Sequence, residues 1–216
     1  MKPSAQEYLD ALYLRYPMLE ICRASIQQAT EALISCFSAG RRLYVCGNGG
    51  SAADAQHIVG ELMKAFVLPR KLTERAKQAL CAACSEDGPV IAQSLQGALP
   101  AFSLAGETAL ITAYANDVAS EMCFAQQVYG YGQRGDALLI LSTSGNSRNV
   151  LYAASAARSQ EMGVIALTGC GGGKLAARAD VLVAVPETET FKVQELHLPI
   201  YHAICLALEE TFFGET

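Results

Sequence analysis

Residues 136–169 read DALLILSTSGNSRNVLYAASAARSQEMGVIALTG, and three kinds of local order follow one another inside them. DALLILST is apolar almost without a break, the pattern of a strand buried on both faces. SRNVLYAASAARSQEMG returns its apolar positions at helical spacing and closes on a glycine. GVIALTG at 163–169 is a second apolar strand.

The same rhythm extends in both directions. Residues 5–39 are helical in pattern, with Pro17 as a break and Ala39-Gly40 as the stop. RRLYVCG at 41–47 is a strand, and Ser51 to about Phe66 a helix. AFSLAG at 101–106 reads as a strand and ETALITAYA as a helix. GGGKLAARA reads as a short glycine-opened helix, DVLVAVP at 180–186 as a last strand, and 191–212 as a long final helix. Apolar strands alternating with helices define an α/β fold: a doubly wound parallel five-stranded sheet flanked by helices. It is expected to be one domain over 1–216, with a helical N-terminal segment over 1–40. Residues 67–100 exceed an ordinary connection and are expected as a helical insertion or lid. Arg70, Lys71, Arg75 and Lys77 there either close over an anionic substrate or form a solvated helix face.

Composition removes several classes of function. A chain of 216 residues, 51% hydrophobic, buries a core without covalent staples. A net charge of -5 with scattered Lys and Arg gives no cationic field for a nucleic-acid partner. No apolar run approaches membrane-spanning length, and MKPSAQEYLDALY has no apolar leader, so a cytoplasmic protein is expected. The eight cysteines then read as reduced thiols, most of them in the core. Cys81 and Cys84 have CxxC spacing but no second pair and no preceding strand, so they read as ordinary helix residues.

In open α/β sheets ligands bind at the carboxyl ends of the strands. Two loops there are unusual. Gly47-Asn48-Gly49-Gly50-Ser51 leaves the first strand, its glycines permitting close backbone approach at a helix N-terminus. Ser142-Thr143-Ser144-Gly145-Asn146-Ser147 leaves DALLIL and sets four hydroxyls around a glycine at another helix start, enough donors for one phosphate. The loop GNGGSAAD lacks the spacing G-x-G-x-x-G, and no G-x-x-x-x-G-K-[ST] occurs in the chain, so a nucleotide is a poor fit. Gly169-Cys170-Gly171-Gly172-Gly173 reads as a tight turn that opens the short helix. His57 and Glu61 stand at i and i+4 on the helix that starts at the first loop, a spacing that also suits two ligands of one metal.

GNGGSAADAQHIVGEL, STSGNSRNV, ALTGCGGGKLA and QELHLPIYH together resemble the sugar isomerase (SIS) domain family, and within it the phosphoheptose isomerase branch. The resemblance spans about residues 5–213 except 67–100. It implies a phosphosugar isomerase that interconverts ketose and aldose through a cis-enediol, sedoheptulose 7-phosphate and D-glycero-D-manno-heptose 7-phosphate being the expected pair. The sugar phosphate is then bound by Ser142, Thr143, Ser144 and Ser147, its chain by Asn48, Gly49, Ser51, Asn116, Asp117 and Gln194. Glu61 is the implied base and His202 its partnering acid. Zinc is implied on His57, Glu61, Gln194 and His202, with His197 as second choice, and so is a homotetramer with sites at subunit interfaces.

Gln194 and His202 are eight residues apart, about 12 Å along a straight helix. Either the helix start is unwound or a neighbouring subunit supplies one of them. The chain also departs from the family pattern, with Phe191 where an acidic residue is usual and Ala65 where an arginine is usual. Two further readings stand beside the isomerase: a non-catalytic SIS regulator that binds a sugar phosphate or a partner protein, and an isomerase for another phosphosugar. Glu61 and His202 argue against the regulator.

Overall fold

The computed structural model describes residues 1–214, and the apolar runs of the sequence become one five-stranded parallel sheet. Its strands are β1 (Leu43–Gly47), β2 (Ala101–Ser103), β3 (Ala137–Ser142), β4 (Gly163–Thr168) and β5 (Val181–Ala184), in the spatial order β2-β1-β3-β4-β5. Leu43 stands opposite Ala101 on one side and Ala137 on the other, Ala137 opposite Gly163, and Ile165 opposite Val181. The helices in chain order are α1 (Pro3–Arg15), α2 (Arg23–Ser38), α3 (Gly50–Met63), α4 (Glu74–Ala83), α5 (Gly88–Ser94), α6 (Thr108–Tyr114), α7 (Cys123–Tyr131), α8 (Arg148–Ser159) and α9 (Thr190–Phe213).

Because successive strand residues point to opposite faces, the unbroken apolar runs of β1 and β3 feed two cores at once. Val45, Leu139 and Leu141 meet Leu9, Ile26, Leu33, Ile58, Ile200 and Ile204 from α1, α2, α3 and α9. Tyr44, Leu138 and Ile140 meet Phe124, Val128, Val150 and Ala154 from α7 and α8. Each fully buried large side chain stabilises the fold by about 1.5–3 kcal/mol, which is what holds α3 and α8 in place behind their loops.

Several boundaries differ from expectation for identifiable reasons. The first helical run breaks at Tyr16, and Pro17–Cys22 forms a 3-10 turn before α2. α2 stops where Gly40 takes a φ of 68° and Arg41 N–H donates back to the Cys36 carbonyl. α8 ends at Ser159, and the left-handed residue after it is Glu161 (φ 54°), not the glycine at 163. GGGKLAARA yields only a 3-10 turn at Gly173–Leu175. α7 was not expected: its core face contains Gln127, fully enclosed because its amide donates to the carbonyls of Leu104 (2.9 Å) and Cys123 (3.2 Å). A polar residue at a core position hides the helical period.

Between α3 and β2 lie α4 and α5, packed on each other where Gly88 leaves room for the backbone of Cys81. Cys81, Cys84 and Cys170 are exposed, while Cys22, Cys36, Cys46, Cys123 and Cys205 are buried; all are free thiols. Arg70 fits neither reading of its charge. Its guanidinium is fully buried, donating to Glu209 Oε1 (2.7 Å) and to the carbonyls of Leu62 (2.6 Å) and Glu61 (2.8 Å). The Glu209 carboxylate also accepts from the backbone N–H of Phe66, Val67 and Leu68. Burial pushes that carboxyl up, but these amides and Arg70 outweigh it and hold it below the ordinary range.

Candidate active site

The strand order reverses between β1 and β3: the chain leaves β1 for β2 on one side and later places β3 on the other. Such a switch point opens a crevice at the carboxyl ends of the two strands. Both glycine- and serine-bearing loops leave these two strands.

After β1, Gly47 closes against the backbone of Ser51, where a Cβ would approach within 2.7 Å, and Gly49 starts α3 with a φ of 57°. Asn48 exchanges two amide hydrogen bonds with Asn149 of α8 (2.9 and 2.7 Å), tying the first loop to the second. After β3, Gly145 takes a φ of 62°, and a Cβ there would collide with the Gly172 carbonyl. The third glycine-rich turn is therefore a brace rather than a helix opening. Leu175 N–H donates to the Gly145 carbonyl, Lys174 N–H to Asn146 Oδ1, and Gly169 N–H to the Thr143 carbonyl.

Within the braced loop, Ser142 Oγ accepts from Gly145 N–H (3.2 Å) and Ser144 Oγ from Asn146 N–H (3.2 Å), which leaves both O–H groups free to donate outward. Ser147 is the N-cap of α8, yet its side chain makes no capping bond. An N-terminus with uncommitted hydroxyls is a site for a dianion. Arg148, the next residue, pairs with Glu121 at 3.0 Å.

Asn116 and Asp117 lie in a single π-helical turn, Ala115–Ala119, hydrogen-bonded to each other (2.8 Å) and exposed. The Glu121–Arg148 pair keeps this region beside the start of α8, but no hydrogen bond joins either residue to the loops or to Glu61 among the described residues.

α3 turns its Ser51, Asp54, Ala55, Ile58 and Leu62 inward, which sets His57 and Glu61 on the adjoining stripe against α9. His57 Nε2 lies 3.2 Å from Glu61 Oε1, and Lys64 Nζ 2.9 Å from Glu61 Oε2. Glu61 is sheltered, its side chain 13% exposed, while Lys64 is open to solvent. Ala65 offers no charge, so the cation beside the carboxylate is its neighbour Lys64. The His202 ring packs edge-on against His57, with centroids 5.0 Å apart, and against Phe66 and Tyr201. Its Nε2 is buried without a partner, and the ring borders a cleft of about 230 Å³ with Tyr8, Arg15 and Tyr16 of the N-terminal segment. Burial, then the neighbouring His57 imidazole, pushes its own imidazole below the usual value.

Sequence reading missed three participants. Asp54 accepts from Tyr201 Oη (3.1 Å) and Gln194 Nε2 (3.4 Å), Tyr201 Oη meets His57 Nδ1 (3.0 Å), and Asn149 holds Asn48. Asp54 carried a usable signal, standing one turn before His57 on the same helix face. Tyr201 and Asn149 sit on other elements and carried none.

α9 is a continuous helix from Thr190, so an unwound start does not reconcile Gln194 with His202. Gln194 lies over Gly50, where a Cβ would collide with its amide, while His202 lies level with His57. His197 is fully buried with neither ring nitrogen bonded, and burial pushes its imidazole down to about 4. Among the described residues no three His, Cys, Asp or Glu side chains gather closely enough to hold a metal ion. His57, Glu61, Gln194 and His202 line two helices rather than surround a point. Within one chain they do not fit zinc.

A doubly wound sheet thus carries two glycine- and hydroxyl-bearing loops at its switch point and a His–Glu pair on the helix after the first, an arrangement suited to a phosphorylated ligand. The SIS domain family matches residues 17–77 and 91–169. Phosphoheptose isomerase of Laribacter hongkongensis is 38% identical over 210 residues, 96% of this chain and 94% of the relative. That of Methylibium petroleiphilum is 37% identical over 213 residues, 97% and 94% of the two chains. The solved phosphoheptose isomerase from Neisseria gonorrhoeae superposes with a TM-score of 0.73 at 33% identity, covering 96% of this chain and 97% of its own. This chain therefore belongs to the SIS domain family and, within it, to the phosphoheptose isomerases.

Proposed function

We propose that this protein is a phosphosugar isomerase that interconverts sedoheptulose 7-phosphate and D-glycero-D-manno-heptose 7-phosphate. The observation that carries the reading is the switch point, where the hydroxyl loop after β3 and the Glu61 helix after β1 are joined by the Asn48–Asn149 pair. Relatives 37–38% identical along nearly their whole length are named phosphoheptose isomerases.

In this reading Ser142, Thr143, Ser144 and Ser147 with the α8 N-terminus hold the phosphate, and Asn48, Gly49, Ser51 and Gln194 line the path of the sugar chain. Asn116 and Asp117 contact its distal hydroxyls. Lys64, exposed and paired only at the surface, swings away from Glu61 at little cost. Glu61 takes a proton from C1 of the ketose as the carbonyl electrons move to O2, giving a cis-enediol. The proton returns at C2, O1 loses its own, and the aldehyde forms. His202, its imidazole pushed below the usual value by burial, moves the proton between O1 and O2.

A homo-oligomer in the cytoplasm belongs to the same reading. Leu14 and Ile21 of the N-terminal segment are 86% and 78% exposed, apolar surface suited to burial against another copy. No helix among the described residues is long and apolar enough to cross a membrane.

The test is proton–deuterium exchange at C1 and C2 of sedoheptulose 7-phosphate and shorter ketose phosphates, followed by NMR. Exchange is expected with the heptulose, and its loss in Glu61→Gln with fold and phosphate binding intact. Binding without exchange for every sugar would instead make the protein a sugar-phosphate-responsive regulator.

A further inference from the structure

A cavity of about 440 Å³ lies beside the edge strand β2, on the face of the sheet that α7 covers. Arg42 and Gln133, which precede β1 and β3, stand at its rim, so it reaches the amino ends of these strands, whereas the hydroxyl loops leave the carboxyl ends. Its lining holds an orphan. Gln127 is 2% exposed, and its Nε2 donates to the carbonyls of Leu104 and Cys123. Carbonyls only accept, so the amide cannot be turned, and Oε1 stays buried with no partner among the described residues. Such an acceptor weakens the fold until something donates to it. The walls are aromatic: Tyr44 and Phe102 stand opposite each other on β1 and β2, their ring planes 24° apart and their centroids 5.6 Å apart. Gly130 keeps the space open, for it sits inside α7, where glycine is a poor helix former, and a Cβ there would meet nothing within 4 Å.

We infer that this cavity is a second ligand site, separate from the phosphate loops, for a planar heteroaromatic amine. Phe102 is 47% exposed, so the stacked pair offers a flat face that another ring extends. Oε1 can only accept, so the group that reaches it is an N–H or NH2 and not a phosphate or carboxylate. The charged side chains of the lining, Arg42 and Glu107, are both exposed, which confines charge to the rim and leaves the deep end to a neutral ring. A sugar, ringed with hydroxyls, would leave most of them unpaired against Tyr44, Phe102 and Leu104. The volume lies in the range of small-molecule sites.

Adenosine and cytidine carry the amine, and purine riboside is adenosine without it. Saturation-transfer NMR on the full chain is expected to show binding of the amine-bearing nucleosides and roughly 10-fold weaker binding of purine riboside, with the Gln127 side-chain amide signal shifting on binding. Gly130→Leu fills the cavity from a position with no atom in its way and adds helix propensity, so it is expected to keep or raise Tm while abolishing binding. Phe102→Ala, on an exposed edge strand, should weaken binding about 2- to 10-fold. Sedoheptulose 7-phosphate is not expected to displace the nucleoside. The inference fails if neither amine binds, if purine riboside binds as well as adenosine, if binding survives Gly130→Leu or is unchanged in Phe102→Ala, or if the sugar phosphate displaces the probe. It stands apart from the isomerase reading, which proton exchange tests separately.

Discussion

Gly145 and Gly50 are both sites where a Cβ would collide with something, and the consequences differ because of what is struck. Gly145 has a φ of 62° and faces the Gly172 carbonyl, main chain that is itself held in the brace. Gly145→Ala therefore incurs left-handed strain and a backbone clash, about 2–5 kcal/mol together. At Gly50 the obstacle is the Gln194 amide, the mobile end of a side chain. Gly50→Ala is expected to leave Tm within a few degrees while raising KM, and Gly145→Ala to lower Tm markedly. Calorimetry and steady-state kinetics on the two variants read both outcomes.

The C-terminal turn of α3 is held from below by an ion pair rather than by a cap. Arg70 donates to the carbonyls of Glu61 and Leu62, and Glu209 accepts from three successive amides of the strap that follows. Both charged side chains are 0% exposed, so deleting one leaves the other buried and uncompensated. Arg70→Met is expected to cost about 3–5 kcal/mol in urea denaturation and to loosen the helix end that carries Glu61. None of this was legible in the sequence, where Arg70 stood among Lys71, Arg75 and Lys77 as one of a run of cations. The partner that removes it from that run is 139 residues away.

For the whole molecule, His197 couples stability to pH. In the unfolded chain its imidazole titrates near 6.5, whereas burial between α9 and the sheet pushes it down to about 4 in the folded state. Between those values the unfolded chain binds a proton that the folded chain refuses, so stability falls as pH falls from 6.5 toward 4. The Glu209 carboxyl, held below its ordinary range, adds its loss at lower pH still. A series of thermal melts between pH 4 and 7 should show Tm declining across this window, and His197→Leu should flatten the decline.

The sequence by itself determined the parallel sheet, the order of its elements and the two loops, because these follow from local causes: unbroken apolar runs, helical periodicity and glycines where left-handed backbone is needed. It also determined that His57 and Glu61 share a helix face. It did not reveal α7, whose apolar stripe is interrupted by a buried Gln127 that donates to the Leu104 carbonyl 23 residues away. Only the tertiary structure decided that Asn48 meets Asn149 across 101 residues, that Tyr201 meets Asp54 across 147, and that Gln194 and His202 occupy different levels of one straight helix. The physical reason is that periodicity records which way a residue faces on its own element, whereas a hydrogen bond between elements depends on their relative register, which is set by the packing of both cores together.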